Sequence, residues 1–182
     1  MNGSDNGMHP FCERGGVPRL VPGKFFPDAR GSFTPFPLPA GCVQANVSVS
    51  APGVVRGMHW QERHPQAKLL ACVSGEIHDV CVDIRRDSPD FGRVFEFSLR
   101  GGTGASLAIP RGFAHGFEVV GDAPATVLYF IDEPWHPDDE RGFLWTSVAA
   151  SWRVSPSVAV LSEKDRGFPA FRDVFPAPVA AR

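Results

Sequence analysis

The chain alternates between short apolar runs and turn-forming residues. Gln44–Ser50 sets Gln44, Asn46, Ser48 and Ser50 against Ala45, Val47 and Val49, the period of two that marks a strand with one polar face. That face is expected to look towards water or a ligand. Residues 69–73 and 77–84 read as two further strands on either side of Ser74-Gly75-Glu76. Residues 91–99 and 105–109 follow, divided by Arg100-Gly101-Gly102, and residues 117–120 and 125–131 read as a hairpin around Gly121-Asp122. Nearer the start, residues 21–26 predict a strand and 27–31 a turn. Residues 32–38, rich in Phe and Pro, predict an edge strand or an irregular extended segment. Strands recurring about every eight to twelve residues predict an all-β sandwich or barrel. Only residues beyond Val148 leave room for short helices, which Pro156 and Pro169 limit.

Composition supports this reading. The 19 Gly and 18 Pro are about a fifth of the 182 residues, against roughly 12% in average usage, as many short strands and turns require. Fifteen Phe and four Trp supply bulk for a barrel interior. With no internal repeat or low-complexity block, residues 1–182 are expected to form one domain. Residues 1–18, Gly-rich and without periodicity, are expected to be flexible or draped over a partner. A net charge of -2 without long basic runs argues against nucleic acid and anionic membranes as partners. No apolar signal core or membrane-length stretch is present, so a cytoplasmic location is expected. The four Cys form no CxxC pair, and Cys72 and Cys81 read as reduced, buried thiols.

A short polar interruption between two strand-rich segments is Arg56-Gly57-Met58-His59-Trp60-Gln61. A guanidinium, an imidazole and a carboxamide within six residues suit a site and a decorated strand edge about equally. His115 sits between Ala114 and Gly116 at an expected strand entrance, free of crowding, although a His bonded within a turn is the commoner case. Tyr129 is the only Tyr in a chain that otherwise uses Phe for bulk, which invites a role for its oxygen. Lys68 opens an apolar run, where a buried amine is costly without a partner. Asp165 lies in a charged cluster that by itself reads as solvated surface. His59 is followed by Trp60 and Gln61 rather than a second ligand, and His64 before Pro65 is badly placed to replace one. A transition metal is therefore not expected, and no other cofactor is expected.

Taken in order, these pieces resemble the dTDP-4-dehydrorhamnose 3,5-epimerase family. The resemblance runs from about Phe25 to Phe168. It is carried by Asp28-Ala29-Arg30-Gly31, Gln44-Ala45-Asn46-Val47-Ser48, Arg56-Gly57-Met58-His59-Trp60-Gln61, Gln66-Ala67-Lys68-Leu69 and Asp79-Val80-Cys81-Val82-Asp83. Ser88-Pro89-Asp90-Phe91-Gly92, Ile109-Pro110-Arg111-Gly112-Phe113-Ala114-His115-Gly116-Phe117 and Leu161-Ser162-Glu163-Lys164-Asp165 extend it. The resemblance implies a metal-free cupin-like double-stranded β-helix (jelly roll) with short C-terminal helices, usually a homodimer. It also implies action on a dTDP-4-keto-6-deoxyhexose in deoxysugar biosynthesis. Protons at C3 and C5 flank the 4-ketone, so inversion needs a base on one face of the sugar and an acid on the other.

By the resemblance, His59 is the base held by Asp165, Tyr129 is the acid, and Lys68 stabilises the enolate. Arg30 and Arg56 would bind the diphosphate. Gln44, Asn46, His115, Glu140 and Lys164 would contact nucleotide or sugar, and Trp135 would stack on the thymine. The chain departs from the family pattern at the nucleotide-binding rim. No acid follows Arg30-Gly31, Pro134-Trp135-His136 replaces a pair of Tyr, Phe130 stands where Lys is common, and His78 replaces an apolar residue. The catalytic set is intact, which leaves base identity and the choice of C3, C5 or both open. A single-site epimerase for an unusual deoxysugar is the main alternative. A sugar 3,4-ketoisomerase would carry a His-rich motif at Met58-His59-Trp60-Gln61, and a non-catalytic sugar-nucleotide-binding cupin has no need of an opposed acid and base.

Overall fold

In the computed structural model, which describes residues 16–176, the strand Glu76–Asp83 (β7) is buried along nearly its whole length. Ile77 and Cys81 pack into one apolar cluster, and Val80 and Val82 pack into another. A strand covered on both faces shows no apolar–polar alternation, which is why residues 77–84 were legible as a strand but gave no inside or outside, and the buried His78, Asp79 and Asp83 within it are bonded. The expected stretch is displaced by one residue.

The other strands are Arg19–Val21 (β1), Phe26–Asp28 (β2), Gly31–Phe33 (β3), Gln44–Ser50 (β4), Val55–Gln61 (β5), Lys68–Ser74 (β6), Val94–Arg100 (β8), Ser106–Ile109 (β9), Phe113–Val119 (β10), Ala125–Ile131 (β11) and Glu140–Gly142 (β12). They form two antiparallel five-stranded sheets, β1-β9-β6-β11-β4 and β12-β5-β10-β7-β8, with β2 and β3 as a separate hairpin. Apart from the β7–β8 hairpin, successive strands from β4 to β12 alternate between the two sheets. This is the double-stranded, cupin-like β architecture that was expected.

The alternation corrects the reading of residues 117–131 as a hairpin. β10 pairs with β5 and β7, whereas β11 pairs with β4 and β6 in the opposite sheet. Turn residues mark where a chain reverses, not which sheet it re-enters. The strand expected over 21–26 is also broken: β1 ends at Val21 and β2 begins at Phe26. Pro22 has no N–H for a ladder, and Gly23 lies so close to Gly104 that a Cβ would meet its carbonyl oxygen at 1.7 Å. The strand read from residue 91 starts at Val94, after Gly92 turns at φ +79°.

Between the sheets, Leu70, Leu99, Leu107, Phe113, Phe117 and Val127 fill one end of the interior. The outer face of the second sheet is covered by the C-terminal segment. Phe143 and Trp145 are fully buried there, and Phe143, Phe171 and Phe175 meet Trp60 in an aromatic cluster. Two one-turn helices lie in this segment, Glu163–Arg166 (α1) and Phe171–Val174 (α2), as the Pro spacing allowed. The segment is clasped by His78, whose Nδ1 lies 3.1 Å from Glu118 and whose Nε2 lies 3.0 Å from Glu96. Those carboxylates accept the backbone N–H groups of Arg153, Val154 and Ser151. The departure at His78 therefore holds the tail that carries Asp165.

The expectation for residues 1–18 falls mostly outside the described residues. Cys42, Cys72 and Cys81 are free thiols, the last two buried. No helix of the described residues is long and apolar enough to cross a membrane.

Candidate active site

Arg56-Gly57-Met58-His59-Trp60-Gln61 is no interruption between strands; it is most of β5. In a regular strand, residues three apart point to opposite faces, yet Arg56 and His59 line the same cavity. The reason is an irregularity in the β5–β10 pairing. His115 lies opposite His59 and Phe117 opposite Arg56, so Gly116 faces two residues, Gly57 and Met58. Gly57 sits at φ +119°, and a Cβ there would meet the Gly116 Cα at 2.5 Å. Only glycine fits, and the extra residue turns Arg56 and His59 inward together. His115, expected at a strand entrance, is the third residue of β10 and a direct cross-strand partner of His59.

The cavity has a volume of about 610 Å³ and lies between the sheets at the end that apolar side chains leave open. The second sheet supplies Arg56, His59, Gln61, His115 and Glu140; the first supplies Gln44, Asn46, Ser48, Lys68 and Tyr129. The polar face of β4 is therefore the cavity face. The C-terminal segment closes the wall with Ser162, Lys164 and Asp165, and Trp135 stands at the rim, 53% exposed. Eleven of the twelve residues singled out from sequence line this one cavity. Arg30 does not: it lies on the exposed β2–β3 hairpin, where its guanidinium pairs with Asp28 at 2.6 Å.

His59 Nε2 lies 2.6 Å from Asp165 Oδ1. Asp165 read as solvated surface in sequence, but it is buried, its backbone N–H bonded to the Ser162 side chain at the start of α1. An ionised carboxylate only accepts, so His59 Nε2 carries the proton and Nδ1 keeps its lone pair. The ring edge is held against Phe168 at 5.6 Å, which packs so closely on Gly142 that no side chain fits there. Opposite, Tyr129 projects from the other sheet. Burial pushes its phenol up from the ordinary value, Glu140 adds to this and Arg56 opposes it, so the hydroxyl holds its proton at neutral pH.

The Lys68 ammonium makes no hydrogen bond or ion pair with any described residue. Burial pulls its ammonium below the ordinary value, resisted by Cys81, Asp79 and Glu140. Such a cation favours a ligand oxygen that gains negative charge. Among the described residues, the Arg56 guanidinium is bonded only to Ser50 and the Val49 carbonyl, with no carboxylate partner. Among the described residues, no three His, Cys, Asp or Glu side chains are grouped so as to hold a metal ion.

A family model described as dTDP-4-dehydrorhamnose 3,5-epimerase matches residues 20–173. A dTDP-4-dehydrorhamnose 3,5-epimerase of Pseudomonas aeruginosa is 42% identical over 137 residues, covering 74% of this chain and 75% of that protein. The chain belongs to the dTDP-4-dehydrorhamnose 3,5-epimerase family. An epimerase from Legionella pneumophila, solved with dTDP-4-keto-L-rhamnose, superposes with a TM-score of 0.78 at 33% identity, covering 84% of this chain and 87% of that one. A 3'-monoepimerase from Streptomyces bikiniensis, solved with dTDP-quinovose, gives 0.74 at 26% identity, covering 84% and 83%.

Within this family fold, several contributing residues were given no role of their own from sequence. Asp79 is fully buried behind His115 and lies 2.7 Å from its Nε2. A carboxylate directly before the apolar run Val80-Cys81-Val82 was the available sign of a bonded partner. Gln61 and Gln66 hold the rim, both donating to the Pro134 carbonyl, at 3.1 and 3.2 Å. The Ser48 hydroxyl faces the cavity with no hydrogen-bond partner among the described residues. Alternation placed Ser48 on the polar face but could not show that its oxygen was unsatisfied.

Proposed function

We propose that this protein epimerises a dTDP-linked 4-keto-6-deoxyhexose at C3, C5 or both, in deoxysugar biosynthesis. The observation that carries the reading is an imidazole held by a carboxylate on one sheet and a protonated phenol on the other, both facing one cavity. His59 removes the proton beside the ketone through Nδ1, and Asp165 balances the imidazolium that forms. Lys68 receives the negative charge that develops on the C4 oxygen. Tyr129 returns a proton from the opposite face, which inverts the centre. Arg56 takes a phosphate and Trp135 the base, with Gln44, Asn46, His115, Glu140 and Lys164 around sugar and nucleotide. No metal or other cofactor takes part.

The chain works as one domain in the cytoplasm and as a homodimer. In its support, the cavity strand β4 turns Val47 and Val49 outward, each 65% exposed, as a second copy would require. Arg30 lies outside its own cavity, so a phosphate role for it requires the cavity of that second copy.

Turnover of dTDP-4-keto-6-deoxyglucose, followed by proton NMR with and without a chelator, tests the reading. Inverted product at C3, C5 or both, unaffected by chelation, is expected. A 3,4-keto shift, or binding without reaction, would replace the reading with the ketoisomerase or the non-catalytic cupin. Inversion at one centre alone would identify a single-site epimerase, which the altered rim and the likeness to a 3'-monoepimerase favour as the second reading.

A further inference from the structure

Trp135 touches more than the space a base would fill. Its indole Nε1 donates to Glu140 Oε2 at 2.7 Å. The other oxygen of that carboxylate lies 3.2 Å from Lys164 Nζ and 3.8 Å from His59 Nδ1. Glu140 is the first residue of β12 and pairs with Gln61 of β5, two residues beyond His59. The indole is fixed from the same strand: Gln61 donates to the carbonyl before Trp135 and accepts from the N–H after it. The Trp135 N–H itself reaches Gln44 at 3.5 Å. One chain of hydrogen bonds thus runs from the nucleotide rim to Glu140, whose Oε1 stands 3.8 Å from the nitrogen left without a proton by Asp165.

We propose that Trp135 is a positioning residue for the chemical step, holding the Glu140 carboxylate beside His59 Nδ1 through its indole N–H. This rests on the epimerase reading and assigns the rim aromatic a task that stacking does not require. In the resting state, Nδ1 and Glu140 are both acceptors and do not bond. After proton abstraction the imidazolium lies between two carboxylates, Asp165 and Glu140. A carboxylate that is already in place costs no reorganisation when the charge appears. Lys164 fixes only one oxygen of Glu140, and the indole holds the second. A phenyl ring can stack on a base but cannot make this bond.

Trp135→Phe separates the two roles. The inference predicts that kcat falls about tenfold, the rate equivalent of one modest charge-assisted hydrogen bond, while KM stays within about twofold. In a Glu140→Gln background the same change should cost little more, because its effect passes through that carboxylate. An unchanged kcat with a raised KM, or losses that add fully in the double variant, would show that Trp135 only stacks. A second readout needs no turnover. In substrate-free protein, the His59 imidazole 15N resonances should move in the same sense in Trp135→Phe and Glu140→Gln. Resonances unmoved by Trp135→Phe would overturn the inference whatever substrate the protein uses. Absence of epimerisation by the wild type would instead count against the epimerase reading.

Discussion

Among the histidines held by buried carboxylates, His59 and His78 are built for different ends. His59 leans on Asp165 at 2.6 Å and keeps its other nitrogen towards an open cavity. His78 is gripped on both nitrogens, by Glu118 and Glu96, and it ties the C-terminal segment to the outer face of a sheet. A carboxylate beside an imidazole is therefore not a sign of catalysis. What differs is the second nitrogen: left unbonded it can take a proton, and bonded it can only hold structure. The two are also linked, since the segment that His78 clasps goes on to carry Asp165.

The comparison breaks most sharply at His59. His59→Ala should lower epimerisation about 10²- to 10⁴-fold, the usual span for a positioned base, with thermal stability close to wild type. Lys68→Met should follow, with a loss of about 10²- to 10³-fold in kcat, as for removal of a donor to a developing oxyanion. Because burial already disfavours the Lys68 charge, the methionine should not destabilise the fold, and a melting curve checks this. Tyr129→Phe should cost about 10²-fold in net inversion while proton loss to solvent continues, since the base remains. Equal loss of exchange and inversion would remove Tyr129 from the donor role.

The smallest expected effect lies at His78, in stability rather than rate. Its hydrogen bond to Glu118, the largest influence on it, raises its pKa above the ordinary value. A raised folded pKa contributes stability that is complete below the unfolded value of about 6.5 and is lost as pH rises through the folded value. Burial pushes Glu118 up, but its bonds to His78 and the tail N–H groups win and leave it lowered. Its contribution is thus lost only under acid conditions, as pH falls through that lowered folded value. His78→Phe should therefore cost about 1–2 kcal/mol near pH 6, a deficit that shrinks towards pH 9 in denaturant titrations. A deficit that grew with pH would contradict the clasp.

Much of this was legible in the chain. Alternation gave β4 to the residue, and the ordered motifs brought eleven site residues to one cavity. What escaped depended on non-local geometry. Period two places Arg56 and His59 on opposite faces, and only the crowded Gly57–Gly116 approach turns them together. Asp165 looked like solvated surface because its burial comes from strands more than a hundred residues earlier. His78 looked like an odd substitution because the N–H groups that its carboxylates collect lie on a tail without regular structure. The turn at Gly121-Asp122 was visible, but not that it carries the chain between sheets.

The central claim is that His59 takes the proton beside the ketone. Incubation with dTDP-4-keto-6-deoxyglucose in D2O, read by NMR and mass spectrometry, tests it most directly. Deuterium should enter C3, C5 or both with the wild type and neither carbon with His59→Ala. Full incorporation by His59→Ala, or none by the wild type, would contradict it.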